Sequence, residues 1–269
     1  MNRKILIVRA NELRHKALSV VINNSGHDVY EVIETKIQQN KIAVNSVVEA
    51  HFQSRKQVEL DFFSDLVSES NFKKTKQIEC LDVNSHDTLE YAKSLEVDLV
   101  ITFGCSILKD NWLEFFQKRI LGIHLGISPY YRGSGTNFFP FVNNELGAVG
   151  YTLMNLNEGI DTGDIIHQSY ANMIHGDSIH TIGTRLMRKM FSDIVKITHL
   201  ENLEFEFDSA VRQPYFEDYK IYRKQDFTSI NLELALKNIS NQSIINFLEN
   251  IDVERNKFPL VREINLNAT

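Results

Sequence analysis

Residues 121–166 have the sequence LGIHLGISPYYRGSGTNFFPFVNNELGAVGYTLMNLNEGIDTGDII, which is the most informative stretch of the chain. A short apolar run, Ile120–Ile123, ends on His124, and a strand-like run, Val149–Leu156, leads into a tight turn that carries Asp161. A histidine can take and return a proton near neutral pH, and a nearby carboxylate orients its ring. If the two strands are neighbours, we predict that His124 and Asp161 face each other across one cleft as an acid/base pair.

The residues before this stretch alternate short apolar runs with helical patterns. We predict strands at Lys4–Val8, Val29–Ile33, Thr75–Leu81 and Asp98–Phe103, and helices over residues 12–23, 43–67 and 87–95. A βαβ opening with continuous apolar strands is typical of an open, mostly parallel sheet with helices on both faces. Ligands of such sheets bind beyond the carboxyl ends of the strands. Asn11 is expected to cap the first helix, and Glu59 to lie on a solvated face of the long one.

Composition excludes several classes of protein. The chain has 269 residues, 43% of them apolar, which suits one large domain or a domain with a small appendage. The net charge of −6 is opposite in sign to the charge that nucleic-acid-binding proteins need. No apolar run is long enough to span a membrane. Two cysteines, Cys80 and Cys105, are too few for a disulfide framework, and no set of residues has metal-ligand spacing. We therefore expect a cytoplasmic protein without a metal, which binds neither membranes nor nucleic acid.

The predicted secondary-structure elements become shorter beyond about residue 200. Before that point, apolar residues at helical spacing predict a core helix from Ser178 to His199, and His167 is expected to be structural rather than a ligand contact. Beyond it, Leu203–Phe207 alternates and predicts a strand, and shorter helical patterns follow. We predict a core domain over residues 1–200 and a small C-terminal α/β appendage over residues 201–269.

The ordered motifs of the central stretch resemble those of the folate-dependent formyltransferases, which include methionyl-tRNA, phosphoribosylglycinamide and sugar N-formyltransferases. The matching residues are His124, Ser128–Pro129, Tyr131–Arg132–Gly133, Gly150–Tyr151–Thr152 and Asp161–Thr162–Gly163. The run from Gln213–Pro214 to Asp226–Phe227 also resembles the segment that follows the catalytic core in the methionyl-tRNA and sugar enzymes. The resemblance implies a Rossmann-like formyltransferase core, 10-formyltetrahydrofolate as co-substrate, and His124 and Asp161 as the catalytic pair. It also implies a folate pocket lined by Cys105, Ser106, Ile107, Leu108, Asn157, Gly159 and Ile160.

One position departs from the family pattern. The family asparagine two residues before the histidine donates a hydrogen bond to the formyl oxygen, and Gly122 stands in its place here. Removing one such donor costs roughly 10²–10³ in rate. His124, a water in the vacated space, or Asn137 could compensate. If the protein is a formyltransferase slowed by the missing donor, we expect Gly122→Asn to raise the rate of formyl transfer by roughly tenfold or more.

The acceptor is inferred by elimination. The turn after the first strand, Arg9–Asn11, contains no glycine, so a phosphate-cradling loop for glycinamide ribonucleotide is not supported, and the remaining length is short for a tRNA-binding barrel. The expected acceptor is the primary amine of an amino sugar, nucleotide-linked, as in polysaccharide biosynthesis, and a homodimer is the expected oligomer. Arg132 either forms a loop salt bridge or binds an acidic group of this acceptor. The alternatives are a formyl-folate hydrolase and a non-catalytic protein that binds folate or a sugar nucleotide.

Overall fold

The computed structural model describes residues 1–35, 45–68 and 76–266. In these ranges the strands are β1 (Lys4–Ala10), β2 (Asp28–Glu34), β3 (Lys76–Cys80), β4 (Leu99–Phe103), β5 (Ile120–His124), β6 (Tyr131–Gly133), β7 (Gly150–Asn155), β8 (Asp164–Tyr170) and β9 (Lys220–Tyr222). The described part of the main sheet has seven strands in the order β3-β2-β1-β4-β5-β7-β8. The first five strands in this order are parallel to one another. The strand β7 is antiparallel to both of its neighbours, β5 and β8. The predicted fold class is confirmed.

Helices cover both faces of this sheet. They are α1 (Leu13–Asn24), α2 (Ser46–Ser68), α3 (His86–Ser94), α4 (Asp110–Phe116), α5 (Phe139–Val142), α6 (Ile179–His199), α7 (Leu203–Asp208), α8 (Ser229–Asn238), α9 (Asn241–Glu249) and α10 (Ile251–Arg255). The helices α1, α2 and α6 pack on one face with Ile5 and Ile7 of β1. The helices α3 and α4 pack on the other face with Leu6 and Val8. Because β1 is buried on both sides, its apolar run is continuous.

Three sequence predictions are wrong in detail. The N-cap residue of α1 is Glu12, not Asn11, and no side chain caps this helix. Glu59 is buried rather than solvated, and it accepts a hydrogen bond from Arg14 Nη1 at 2.6 Å. The predicted strand Leu203–Phe207 is the helix α7, in which Leu203 and Phe207 are buried one turn apart while Phe205 is exposed. Residues 43 and 44 of the predicted long helix, and Thr75 of the predicted strand, lie outside the described residues.

The segment beyond α6 packs on the same core as the rest of the chain. Val211 exchanges two backbone hydrogen bonds with Ile165 of β8, at 2.8 and 2.9 Å. Leu232 and Ala235 of α8 are fully buried in the cluster on the α1/α2/α6 side. The division of the chain at residue 200 stays a prediction. No helix in residues 1–35, 45–68 and 76–266 is both long and apolar enough to cross a membrane.

Candidate active site

His124 and Asp161 form the centre of the candidate site. Gly122 and His124 point to the same face of β5, the one covered by α3 and α4, because side chains two apart on a strand share a face. The strand β7 runs antiparallel to β5 and places Asn155 opposite Leu121, near the start of β5. The turn after β7 therefore begins far from His124 and crosses the sheet face to reach it. Asp161 Oδ2 lies 3.2 Å from His124 Nδ1, so their predicted proximity is confirmed.

Asp161 is held in an unusual conformation. Its φ is 51°, in the left-handed region that few residues other than glycine adopt. The backbone N–H of Gly133 donates to its Oδ2 at 2.7 Å, and Gln213 Nε2 donates to its carbonyl oxygen at 2.8 Å. Gly133 has a φ of 92°, and a Cβ atom there would overlap the carbonyl oxygen of Tyr222. The glycine of the Tyr-Arg-Gly motif thus lets β6 approach β9 and presents its N–H to the carboxylate.

Both ring nitrogens of His124 face oxygen atoms. Nε2 lies 2.9 Å from the carbonyl oxygen of Tyr131, and Nδ1 faces the Asp161 carboxylate. A carbonyl oxygen can only accept, so Nε2 carries a hydrogen in this arrangement. The doubly protonated ring can donate to both oxygens at once. The pair can therefore hold a proton at Nε2.

The space beside Gly122 is occupied. A Cβ atom on Gly122 would overlap Leu156 Cδ2 and lie 2.8 Å from Leu156 Cγ. Leu156 packs on the apolar cluster of α3 and α4 as the chain leaves β7. A vacated space that water could fill, as the sequence suggested, is therefore not present. The side chain of leucine can supply no hydrogen bond in place of the family asparagine.

The side chain of Asn137 is directed at α6. Its Nδ2 faces α6, where a Cβ atom on Gly183 would lie only 2.6 Å from it. Its Oδ1 is buried and has no hydrogen-bond partner. No hydrogen bond in the described ranges connects Asn137 to His124 or Asp161. The described residues therefore show no hydrogen bond through which Asn137 would act with the pair.

The loop after β4 contains the first group of predicted folate contacts, and two other residues hold it. The backbone N–H of Ser106 donates to Glu34 Oε2 at 2.7 Å. Asn84 Nδ2 donates to the carbonyl oxygen of Ile107 at 3.0 Å. Leu108 is buried, Cys105 is partly buried and Ile107 is exposed. Glu34 and Asn84 were missed by the sequence analysis, although Glu34 is a polar residue at the end of an apolar strand, which is a signal for a supporting role.

The turn after β7 contains the second group. Asn157 Oδ1 accepts hydrogen bonds from Gly159 N at 3.0 Å and Thr162 Oγ1 at 2.7 Å, so this side chain shapes its own turn. Ile160 is exposed. A shallow cavity of about 380 Å³ lies beside the turn and is lined by Leu113, Asn157, Glu158 and Gly159. Leu113 belongs to α4, so this cavity lies between α4 and the turn, and no residue of the loop Cys105–Leu108 lines it.

Arg132 packs against the C-terminal segment. Its Nη2 donates to Gln213 Oε1 at 2.9 Å, and its guanidinium carbon lies 4.9 Å from the centre of the Tyr219 ring. Arg132 Nε is buried without a hydrogen-bond partner. The expected loop salt bridge is replaced by a hydrogen bond to a neutral amide. Gln213 is a further residue to which the sequence analysis assigned no role, although its Gln-Pro motif was noticed.

A second cavity, of about 480 Å³, contains none of the predicted site residues. It is lined by His167, Lys189, Asp193, Lys196, Glu263, Ile264, Asn265 and Leu266. His167 Nδ1 accepts a hydrogen bond from Ile264 N at 3.0 Å, and burial lowers the pKa of His167 to about 4. In residues 1–35, 45–68 and 76–266, no three His, Cys, Asp or Glu side chains are grouped to hold a metal ion.

Residues 6–197 match the formyl transferase family, which is well over half of the chain. The chain belongs to the formyl transferase family. A similar methionyl-tRNA formyltransferase from Desulforamulus reducens is 29% identical over 157 residues, covering 57% of this chain and 47% of the relative. Another from Finegoldia magna is 22% identical, covering 96% of this chain and 73% of the relative. The chain thus spans about half of the first relative and about three quarters of the second.

Solved structures of this family share the fold. The formyltransferase PseJ from Anoxybacillus kamchatkensis, in complex with UDP-4,6-dideoxy-4-formamido-L-AltNAc and tetrahydrofolate, has a TM-score of 0.50 at 15% identity, covering 89% of this chain and 99% of that one. An N-formyltransferase from Helicobacter canadensis, in complex with folinic acid and dTDP-3-aminofucose, has a TM-score of 0.52 at 17% identity, covering 88% and 80%. The predicted family and its fold are both confirmed.

Proposed function

We propose that the protein transfers a formyl group from 10-formyltetrahydrofolate to a primary amine. The observation that carries this proposal is the His124–Asp161 pair, 3.2 Å apart within the range that matches the formyl transferase family. Bound formyl-folate supplies the formyl group and the nitrogen that leaves. His124 holds a proton at Nε2, and the Asp161 carboxylate, 3.2 Å from Nδ1, orients the ring.

The residues around the pair fit a flat aromatic ring with a polar edge. Ile107 in the loop after β4 and Ile160 in the turn after β7 are 62% and 48% exposed. Large apolar side chains exposed in this way can cover the face of a bound ring. We propose that the loop Cys105–Leu108 and the turn Asn157–Ile160 hold the folate between them.

For the acceptor, we propose an amino sugar carried on a nucleotide. Sugar N-formyltransferases are among the solved structures that share the fold, whereas the curated relatives above are methionyl-tRNA formyltransferases. Near the end of β1, Arg9 is buried and paired with Glu31 at 2.6 Å, so the predicted turn Arg9–Asn11 begins inside the strand. This arginine is therefore engaged inside the protein and does not face a phosphate. A homodimer stays a prediction.

A non-catalytic folate-binding protein is the second candidate, and Leu156 is the observation that favours it. Its side chain fills the place of the asparagine that would donate to the formyl oxygen. A site built this way retains the proton-transfer pair but lacks one donor for the developing charge. Hydrolysis of formyl-folate, with water as acceptor, places a smaller demand on the acceptor pocket and is tested in the same assay.

The deciding experiment measures turnover of 10-formyltetrahydrofolate with nucleotide-linked 3-amino and 4-amino sugars, with methionyl-tRNA, and with no acceptor. We expect turnover that depends on an amino sugar and falls roughly 10²–10⁴-fold in His124→Asn. His175→Asn, an exposed histidine outside the site, is the matched control and should behave as wild type. Turnover without any acceptor would establish hydrolysis, and folate binding without turnover would establish the non-catalytic protein.

A further inference from the structure

The half-buried side chain of Gln213 connects three parts of the candidate site. Its Nε2 donates to the carbonyl oxygens of Asp161, at 2.8 Å, and Gly163, at 2.9 Å. Its Oε1 accepts from Arg132 Nη2 at 2.9 Å. Gln213 lies outside the residues 6–197 that match the family, so the C-terminal segment supplies this link.

The chemistry of the partners sets the orientation of this amide. Backbone carbonyls can only accept hydrogen bonds, and a guanidinium can only donate them. The NH₂ group must therefore face Asp161 and Gly163, and the oxygen must face Arg132. Both amide hydrogens are used, so no other side chain of this length reproduces the arrangement.

Asp161 is connected to β6 in two ways, through Gln213 and through Gly133. Gln213 holds the backbone of Asp161, and Gly133 N–H holds its carboxylate. Gly133 follows Arg132, which is the other partner of Gln213. Asp161 has a left-handed backbone, which is sparsely populated for residues other than glycine, so contacts from outside the turn are needed to maintain it.

Gln213 is itself firmly placed. Two residues before it, Val211 exchanges two backbone hydrogen bonds with Ile165 at the edge of β8. After it, β9 pairs with β6 and aligns Ile221 with Arg132. The segment between these two anchors passes over the turn that carries Asp161, and Gln213 is its point of contact.

We propose that Gln213 is a positioning residue that holds the Asp161 carboxylate against His124. The inference rests on the proposed formyl transfer for its kinetic consequence, but the positioning itself does not depend on activity. Because Gln213 touches Asp161 through the backbone carbonyl, it acts on the orientation of the carboxylate and makes no contact with His124.

Two variants distinguish the contact made by the amide oxygen of Gln213 from the contacts made by its NH₂ group. Gln213→Glu keeps an acceptor for Arg132 but cannot donate to the carbonyls of the turn, and Gln213→Ala loses both contacts. We expect kcat to fall roughly tenfold or more in both variants, with KM for formyl-folate and for the acceptor changed less than about threefold. Gln242→Glu, the same substitution on the exposed surface of α9, is the control and should match wild type.

A second readout needs no turnover. Hydrogen exchange at the Gly133 amide reports on the Asp161 carboxylate that accepts from it, and the ¹⁵N signals of the His124 ring report on its partner. We expect faster exchange at Gly133 and shifted His124 ring signals in both Gln213 variants but not in Gln242→Glu. Gly133 exchange and His124 signals equal to wild type in Gln213→Glu would overturn the proposal. Changes in these signals in a protein that shows no formyl transfer would uphold the positioning and reject only the proposed reaction.

Discussion

At the scale of single residues, the glycine at position 122 leaves a space that the side chain of Leu156 occupies. Gly122 has no side chain that could donate a hydrogen bond, and Leu156 fills the space beside it on the face of β5 that carries His124. Gly122 does not have the positive φ that would itself penalise a larger residue. The obstacle to restoring a donor is therefore the leucine and not the backbone.

This corrects the expected effect of Gly122→Asn. Alone, the new side chain must displace Leu156, so we expect little or no gain in formyl transfer. In the double variant Gly122→Asn/Leu156→Ala, the space is open and a donor is restored beside His124. We expect the double variant to exceed Leu156→Ala by roughly tenfold or more in rate. Rates are compared in one assay, with stability measured in parallel, and an equal rate in the two would show that the site uses a different donor.

At the scale of elements, a partly buried ion pair joins α1 to α2. Glu59 of α2 accepts from Arg14 of α1 at 2.6 Å, and Arg14 also pairs with Glu12. Burial lowers the pKa of Arg14, and the Glu59 charge opposes that change. The long helix α2 therefore contacts α1 through a polar side chain, Glu59, on the face that the sequence pattern predicts to be exposed to solvent.

Removing the carboxylate tests this contact. We expect Glu59→Ala to lower the free energy of unfolding by about 1–3 kcal/mol, because it leaves the partly buried guanidinium of Arg14 with one partner fewer. Asp61→Ala, at an exposed position on the same helix, should change it by less than about 0.5 kcal/mol. Urea denaturation of the three proteins gives both values. Equal stability of Glu59→Ala and Asp61→Ala would mean that Arg14 is satisfied by Glu12 alone.

At the scale of the whole molecule, buried neutral histidines link stability to pH. Burial is the largest cause that lowers the pKa of His27 and His167 to about 4 in the folded protein, from 6.5. His27 Nδ1 accepts a hydrogen bond from Arg3 N, and His27 stacks on His199. His27 and His167 lie at separate places, one beside the end of α6 and one on β8. Their effects on stability should therefore add.

The sign of the pH dependence follows from these values. Between pH 6.5 and about 4 the unfolded chain binds protons at both histidines and the folded protein does not, so the free energy of unfolding falls as the pH falls. Each histidine contributes a slope of up to about 1.4 kcal/mol per pH unit in this window. Urea denaturation at pH 7.5, 6.5, 5.5 and 4.5 measures it. His167→Gln should reduce the slope, and an unchanged slope would show that this histidine is protonated in the folded protein.

The amino-acid sequence by itself determined the parallel core and predicted that His124 and Asp161 lie together. Strands buried on both faces need continuous apolar runs, so β1, β2 and β4 were predictable within a few residues, and α6 followed from its 3.6-residue period. His124 and Asp161 were found because their motifs keep their order along the chain.

Other features were decided only by the tertiary structure. The alternation in Leu203–Phe207 also fits one turn of helix, and packing chose the helix α7. The roles of Leu156, Glu59 and Gln213 depend on partners 34 to 81 positions away in sequence. Local patterns record which face of an element is apolar. They do not record which distant side chain fills a given space, because that is set when the elements pack.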